Sequence, residues 1–469
     1  MKKSLLALCL AACAAPPQLL PPPFGPGDPT NPRLFFPTGM AVLPDGALLV
    51  ANGNFDHAFD SGTVVSIRKS YLDAFFARRF QGQKLDCDVP AAQALAQGCD
   101  DDVTLHPAEV FGGAAMIGNY AGPLALNSDA TIAYTGSRDT NRLNAVSVLA
   151  DRSLQCAPGA GTGQDCRQGV IDLGLSGVNG PYSIVAGDLN LPGQAAQPVL
   201  FVASLVPRVD EISSSLLLTD APVVALDVRD PAQPPAVLFQ MLASSRFVAN
   251  GSAVGPMVFD AARRQLLLSG CYERFASGAA GEPGSRKCFN PGVNYLRTLK
   301  VDAQGAAQVG LFDMVGDVLS TDTTALLLGD EVGGVPTTLW ATMRSPDVLV
   351  RIELPLQPSV APRVRQIIPL PIAPAELVSI PRTGAPDLLA IIAEGLGAVV
   401  IYDTGQMQVQ AQVERLGDSP FTIKLLPSSD PATAQLAVSV FGSCRIALVE
   451  VPLDKPWTAA LRGRAGSCP

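Results

Sequence analysis

The residues best equipped for chemistry fall in one polar stretch, Asn52-Gly53-Asn54-Phe55-Asp56-His57-Ala58-Phe59-Asp60. Oxygen donors at Asn52, Asn54 and Asp56, with Asp60 beyond, are spaced as in loops that wrap a hard cation such as calcium, and His57 adds an imidazole for a softer metal. The stretch departs from the EF-hand template: Asn holds the first position, no glycine follows Asp56 and no glutamate closes the loop. Asn and Asp also satisfy the backbone groups of ordinary turns. Calcium site and hydrogen-bonded turn both stay open on the sequence.

Templates for catalysis fail. The chain holds two histidines, His57 and His106, and no GxSxG elbow lies near either. HExxH, GxxxxGK and GxGxxG are absent. Gly159-Ala160-Gly161-Thr162-Gly163 looks phosphate-like, but it sits between two cysteines rather than between a strand and a helix. Asp100-Asp101-Asp102 reads as a solvated cluster.

A β-rich framework must position these residues. Of 469 residues, 48% are hydrophobic and 16% charged, enough for a large core, while 43 Gly and 41 Pro suit many short strands joined by turns. The net charge of −9, with no basic run longer than a pair, argues against a nucleic-acid partner.

Apolar runs recur with the same punctuation. Residues 40–43 and 47–51 flank the turn signal Pro44-Asp45-Gly46, and 63–67 follow the polar stretch. Variants of this unit open near 122, 180, 255, 324, 375 and 420, and shorter segments at 108–111, 169–173, 236–239 and 364–369 read as fourth, outer strands. The pattern predicts an all-β fold, a seven-bladed β-propeller of four-stranded antiparallel blades within residues 34–469. The opening, PTGMAVLPDGALLVAN over 37–52, resembles the YVTN and NHL-like families of bacterial propellers. That resemblance speaks to architecture rather than activity. Ring closure is expected to bring Leu34-Phe35 onto the last blade, with the tail from Trp457 packed outside.

In such a fold the loops between second and third strands crowd one mouth of the central channel. Here they hold Asn52, Asn54, Asp56 and Asp60 and, as binding candidates, His57, Arg138, Asp139, Arg208, Glu273, Arg344 and Glu394. Some propeller lactonases hold calcium with Glu, Asn and Asp from different blades; Glu394, Asn54 and Asp139 are the residues here that could be set in those roles, with little motif to support it. The insertions carrying Cys87 and Cys99, and Cys156 and Cys166, follow third strands and are expected on the opposite face.

Lys2-Lys3, an apolar core over 5–10 and Leu10-Ala11-Ala12-Cys13 resemble the signal peptide and lipobox of bacterial lipoproteins. The resemblance implies a signal peptide over 1–12, lipidation of Cys13 and an outer-membrane location through the lipid anchor, with a proline-rich tether reaching to residue 33. Eight cysteines then remain in neighbouring couples: Cys87 and Cys99, Cys156 and Cys166, Cys271 and Cys288, Cys444 and Cys468. In an exported chain such couples read as four local disulfides. The expected role is a non-enzymatic binding or assembly scaffold, monomeric, for an envelope protein or a glycan. A calcium-dependent channel-site hydrolase such as a lactonase is the alternative.

Overall fold

The computed structural model describes residues 22, 33–78, 107–176, 178–190, 193, 195–206, 209–212, 215–218, 222–242, 255–272, 293–301, 307–313, 322–357 and 360–466. They form seven antiparallel blades of four strands, each a meander in chain order, so the expected propeller is the fold. Blade one comprises β1 (Pro37–Val42), β2 (Leu48–Asn52), β3 (Gly62–Ile67) and β4 (Phe111–Ile117). Blade two comprises β5 (Ala125–Leu126), β6 (Ile132–Ser137), β7 (Arg142–Val148) and β8 (Leu154–Cys156), with β9 (Ile171–Asp172) added to β7. The remaining blades span 179–242, 257–313, 322–369, 374–413 and 420–465. Among the described residues no helix is long and apolar enough to cross a membrane.

The apolar runs are continuous because the middle strands have no solvent face. Successive side chains of a strand point to opposite sides, and here both sides meet a neighbouring blade. Leu48 and Val50 of β2 pack with Leu426, Ala437 and Leu448 of blade seven, whereas Leu49 and Ala51 pack with Ala133 and Val146 of blade two. One apolar cluster lies between each pair of neighbours, seven in all among the described residues. A fully buried side chain of this kind stabilises by about 1.5–3 kcal/mol, and the ring is built from dozens of them. The outer strand Arg363–Pro369 alternates exposed and half-buried residues, as a strand with one wet side must.

The cluster between blades one and seven closes the ring. Leu34 packs there with Ile446, Leu448 and Ala465, and the Thr422 hydroxyl donates to the Thr38 carbonyl at 3.0 Å. The tail is not packed outside: Ala460–Ala465 forms the outer strand of blade seven. Two other expectations shift. Residues 107–110 form the helical turn α2 (Pro107–Val110), and the outer strand of blade one is β4. In blade two the outer strand is β8, while residues 171–172 pair lower on β7. Helix α1 (Lys69–Arg78), unforeseen in the sequence, sets Tyr71, Leu72, Phe75 and Phe76 on one face and buries them in the closure cluster.

Candidate functional site at the channel mouth

Breaks in the register of the innermost strands shape the site, four of them at a proline and one, between Thr323 and Ala325, without. Proline has no N–H for the ladder, so the innermost strands slip where it enters. Register shifts fall between Pro37 and Gly39, Pro181 and Ser183, Pro374 and Leu377, and Pro420 and Thr422. Such bulges re-aim side chains, and the residues left over, Thr38, Tyr182, Glu376 and Phe421, all line a cavity of about 660 Å³ in the central channel. All seven blades contribute to its wall. Threonine hydroxyls lock neighbouring blades around it: Thr38 donates to the Ala121 carbonyl at 2.8 Å and Thr324 to the Pro374 carbonyl at 2.9 Å.

The charged residues of this cavity are not equivalent. Arg344 pairs with Glu394 and donates through Nε to the Pro374 carbonyl at 3.1 Å. Lys424 Nζ lies 2.5 Å from Glu376, whose other oxygen accepts the Ile423 N–H at 2.7 Å. Arg138 has no such partner: no carboxylate among the described residues pairs with it. Its Nε donates to the Tyr120 carbonyl at 3.2 Å, and its guanidinium lies 5.0 Å from the Phe55 ring centre and 5.7 Å from that of Tyr182. Burial lowers its pKa from the ordinary arginine value, with Tyr182 and Tyr120 opposing that shift.

Aromatic rings form one side of the mouth. Phe441 lies 5.1 Å from both Phe36 and Phe55 and 6.2 Å from Phe421. Phe55 stands edge-on to Tyr120 at 5.1 Å. Blades one, three and seven thus present rings to the cavity, and blades five and six present the Arg344–Glu394 pair. This combination can hold a small molecule with an apolar face and polar edges.

The polar stretch of blade one is a tightly bonded turn. The Asn52 side-chain oxygen accepts the Phe35 N–H at 3.2 Å, and its nitrogen donates to Thr63 at 2.8 Å. The Asn54 oxygen accepts the Phe59 N–H at 3.1 Å, and the Asp56 carboxylate accepts the Ala58 N–H at 3.0 Å. Asp60 faces Arg167 at 3.1 Å, and His57 bonds the Tyr120 hydroxyl. The Asn52 and Asn54 oxygens and one Asp56 oxygen are thus engaged by backbone N–H groups and one Asp60 oxygen by a guanidinium, while Asp60 Oδ1 is buried without a hydrogen-bond partner. No cluster of three or more His, Cys, Asp or Glu suited to a metal exists among the described residues. Asn119 draws Asn54 and Asp139 together, accepting from one at 2.7 Å and donating its N–H to the other at 3.2 Å. Glu394 is held by Arg344 instead of joining them.

The Cys156–Cys166 couple is a disulfide. Its loop follows β8, not a third strand, and returns toward the mouth rather than the opposite face. The Met116 N–H donates to the Gln164 carbonyl at 2.7 Å and the Cys166 N–H to the Met116 carbonyl at 2.9 Å, so the loop adds to the edge of β4. Arg167 then joins Asp165 at 2.7 Å to Asp60 of the mouth loop. The hydrogen bonds from Arg167 hold the Asp165 carboxyl below its ordinary value, against the opposing effect of burial. Cys444 is also disulfide-bonded. Cys13, Cys87, Cys99, Cys288, Cys468, Arg208 and Glu273 lie outside the described residues, as does the side chain of Cys271.

Reading the sequence missed Phe55, Tyr182, Glu376, Phe421, Lys424 and Phe441. Four of these six follow a proline or glycine-proline at the entry to an innermost strand by one to four residues, which was the available signal.

The fold is shared with solved propellers. Periplasmic gluconolactonase of Pseudomonas aeruginosa matches with a TM-score of 0.53 at 11% identity, over 90% of this chain and 96% of that one. The Swd1 β-propeller domain of Myceliophteria thermophila matches with a TM-score of 0.45 at 10% identity, over 89% of this chain and 97% of that one. No protein-family model and no curated protein matches the sequence.

Proposed function

We propose that this chain is a non-enzymatic binding protein of the cell envelope that takes a small organic ligand, such as a glycan unit, into the mouth of its central channel. The observation that carries the reading is the roughly 660 Å³ cavity on which all seven blades converge, lined by both aromatic rings and charged groups. Its size falls within the range of ordinary small-molecule sites, about 300–1,000 Å³. A thermal-shift screen of monosaccharides and sugar acids tests it. Ligands that raise the melting temperature should lose that effect in Phe441→Ala and Glu376→Gln; ligands that keep it would place binding elsewhere.

The envelope assignment rests on Leu10-Ala11-Ala12-Cys13 and its resemblance to a lipobox. Cys13→Ser is expected to move the protein out of the membrane fraction, and unchanged fractionation would remove the lipoprotein reading.

Hydrolysis of a lactone at the same mouth is the second reading, favoured by the fold shared with the gluconolactonase. In that reaction water adds to the carbonyl carbon, the ring C–O bond breaks, and a carboxylate and a hydroxyl result. The binding reading expects δ-gluconolactone to open no faster than it does spontaneously. Turnover lost in Glu394→Gln would replace it.

A further inference from the structure

We infer that the ligand of this mouth carries a single carboxylate on a ring, with Arg138 holding the carboxylate and Phe421 and Phe441 facing the ring. The inference rests on the reading of the mouth as a small-molecule site and names the class of molecule it takes.

Charge balance is the first argument. The described residues lining the cavity include the cations Arg138, Arg344 and Lys424 and the carboxylates Glu376 and Glu394. Glu394 neutralises Arg344 and Glu376 neutralises Lys424. Among these described residues one positive charge is left over, at Arg138. A partly buried charge without a partner is costly, and a ligand that supplies the opposite charge recovers that cost. A single surplus charge matches a monoanion better than a phosphate dianion.

Geometry is the second. Arg138 is fixed from three sides, by the Tyr120 carbonyl on Nε and by the rings of Phe55 and Tyr182. Its terminal nitrogens have no protein acceptor among the described residues. A planar guanidinium held in this way offers two parallel donors, which fit the two oxygens of a carboxylate. Little side-chain freedom remains to be lost on binding.

The rings are the third argument. Phe421 and Phe441 line the same cavity at 6.2 Å from each other, next to the Phe55 ring that lies beneath Arg138. A ligand whose carboxylate meets Arg138 therefore has an aromatic surface beside it. A sugar ring with an apolar face and an aromatic acid share the required chemistry.

The test is calorimetric titration of the full chain with glucuronate, benzoate, methyl glucoside and inorganic phosphate. At least one ring carboxylate should bind ten-fold or more tightly than methyl glucoside and than phosphate. Whichever of glucuronate and benzoate binds more tightly assigns the ring as sugar or aromatic. Arg138→Gln should remove at least ten-fold of that affinity. Arg138→Lys should recover only part of it, because a lysine keeps the charge and loses the fork. Thermal unfolding of each variant checks that it is folded, and Arg351→Gln, on the opposite face, should bind as the unaltered chain does. Carboxylates binding no better than methyl glucoside, phosphate binding best, or an Arg138→Gln variant with full affinity would each overturn the inference while leaving a small-molecule mouth intact. Binding by none of the four probes would overturn both readings together.

Discussion

Two cavities of this propeller differ in a way that volume does not reveal. The larger, about 910 Å³, lies between blades five and six and is lined by residues such as Asp330, Arg351, Glu353, Arg365, Leu356 and Met407. Its position among first-to-second and third-to-fourth strand connections puts it on the face opposite the mouth. There Arg351 meets Asp330 at 3.4 Å and Arg365 meets Glu353 at 2.7 Å, so its charges are paired within the chain. The channel mouth is smaller, at about 660 Å³, and holds the Arg138 guanidinium without a carboxylate among the described residues. The groove is an outcome of packing two tapered sheets side by side. The mouth holds an unspent charge against a built aromatic wall, and that is the better mark of a site.

The comparison can be broken most directly at the rings. Phe441→Ala removes contacts with Phe36, Phe55 and Phe421, and should destabilise by about 2–3 kcal/mol, somewhat below the 3–5 kcal/mol of a fully buried phenylalanine. Met407→Ala in the groove, at a residue 37% exposed, should cost about 1 kcal/mol or less. Equal losses in chemical denaturation would mean that the aromatic wall is no more ordered than the groove.

A comparable effect is expected from the covalent link. Opening the Cys156–Cys166 loop with a double Ser replacement should cost about 2–3 kcal/mol, given its separation of 10 residues. Because the loop pairs with β4 and reaches Asp60 through Arg167, hydrogen exchange should quicken in β4 and in residues 53–61 but not in blades five and six.

The same clamp predicts a smaller effect of pH. The Asp165 carboxyl titrates below its ordinary value because Arg167 bonds its charged form. Its stabilisation is therefore complete above the ordinary carboxylate value of about 3.9 and is lost as pH falls below it toward the folded value. Asp165→Asn should flatten the fall of melting temperature with acid below about pH 4, modestly, since the side chain is 38% exposed. The smallest effect belongs to the polar stretch. Chelator should leave the melting temperature unchanged, because Asn52, Asn54 and Asp56 already accept backbone N–H groups. A fall of several degrees, with calcium found by elemental analysis, would assign a cation to this stretch.

How far the sequence reached differs between fold and site. Blade number, strand order and the mouth loops were legible, since apolar runs such as 48–51 and 388–393 and turns such as Pro44-Asp45-Gly46 act within a few residues. Arg138, Arg344 and Glu394 were legible as mouth residues for the same reason: each stands at the end of a second strand or just after it. Their roles were not. Lys424 finds its partner 48 positions away in the neighbouring blade, and Arg344 finds its own 50 positions away. Arg167 reaches Asp60 across 107 residues, which turned the disulfide loop toward the mouth against expectation.

The sequence by itself determined a ring of small sheets, because period-two apolar strands that carry no polar face must be covered on both sides. Only the closed ring decided which charges meet. The mouth pairs Arg344–Glu394 and Lys424–Glu376 form between blades, so their geometry exists once the blades are stacked, whereas the groove pairs Arg351–Asp330 and Arg365–Glu353 form within blade five. Of the three cations that line the channel cavity among the described residues, stacking supplied carboxylates to Arg344 and Lys424 and left Arg138 between two rings.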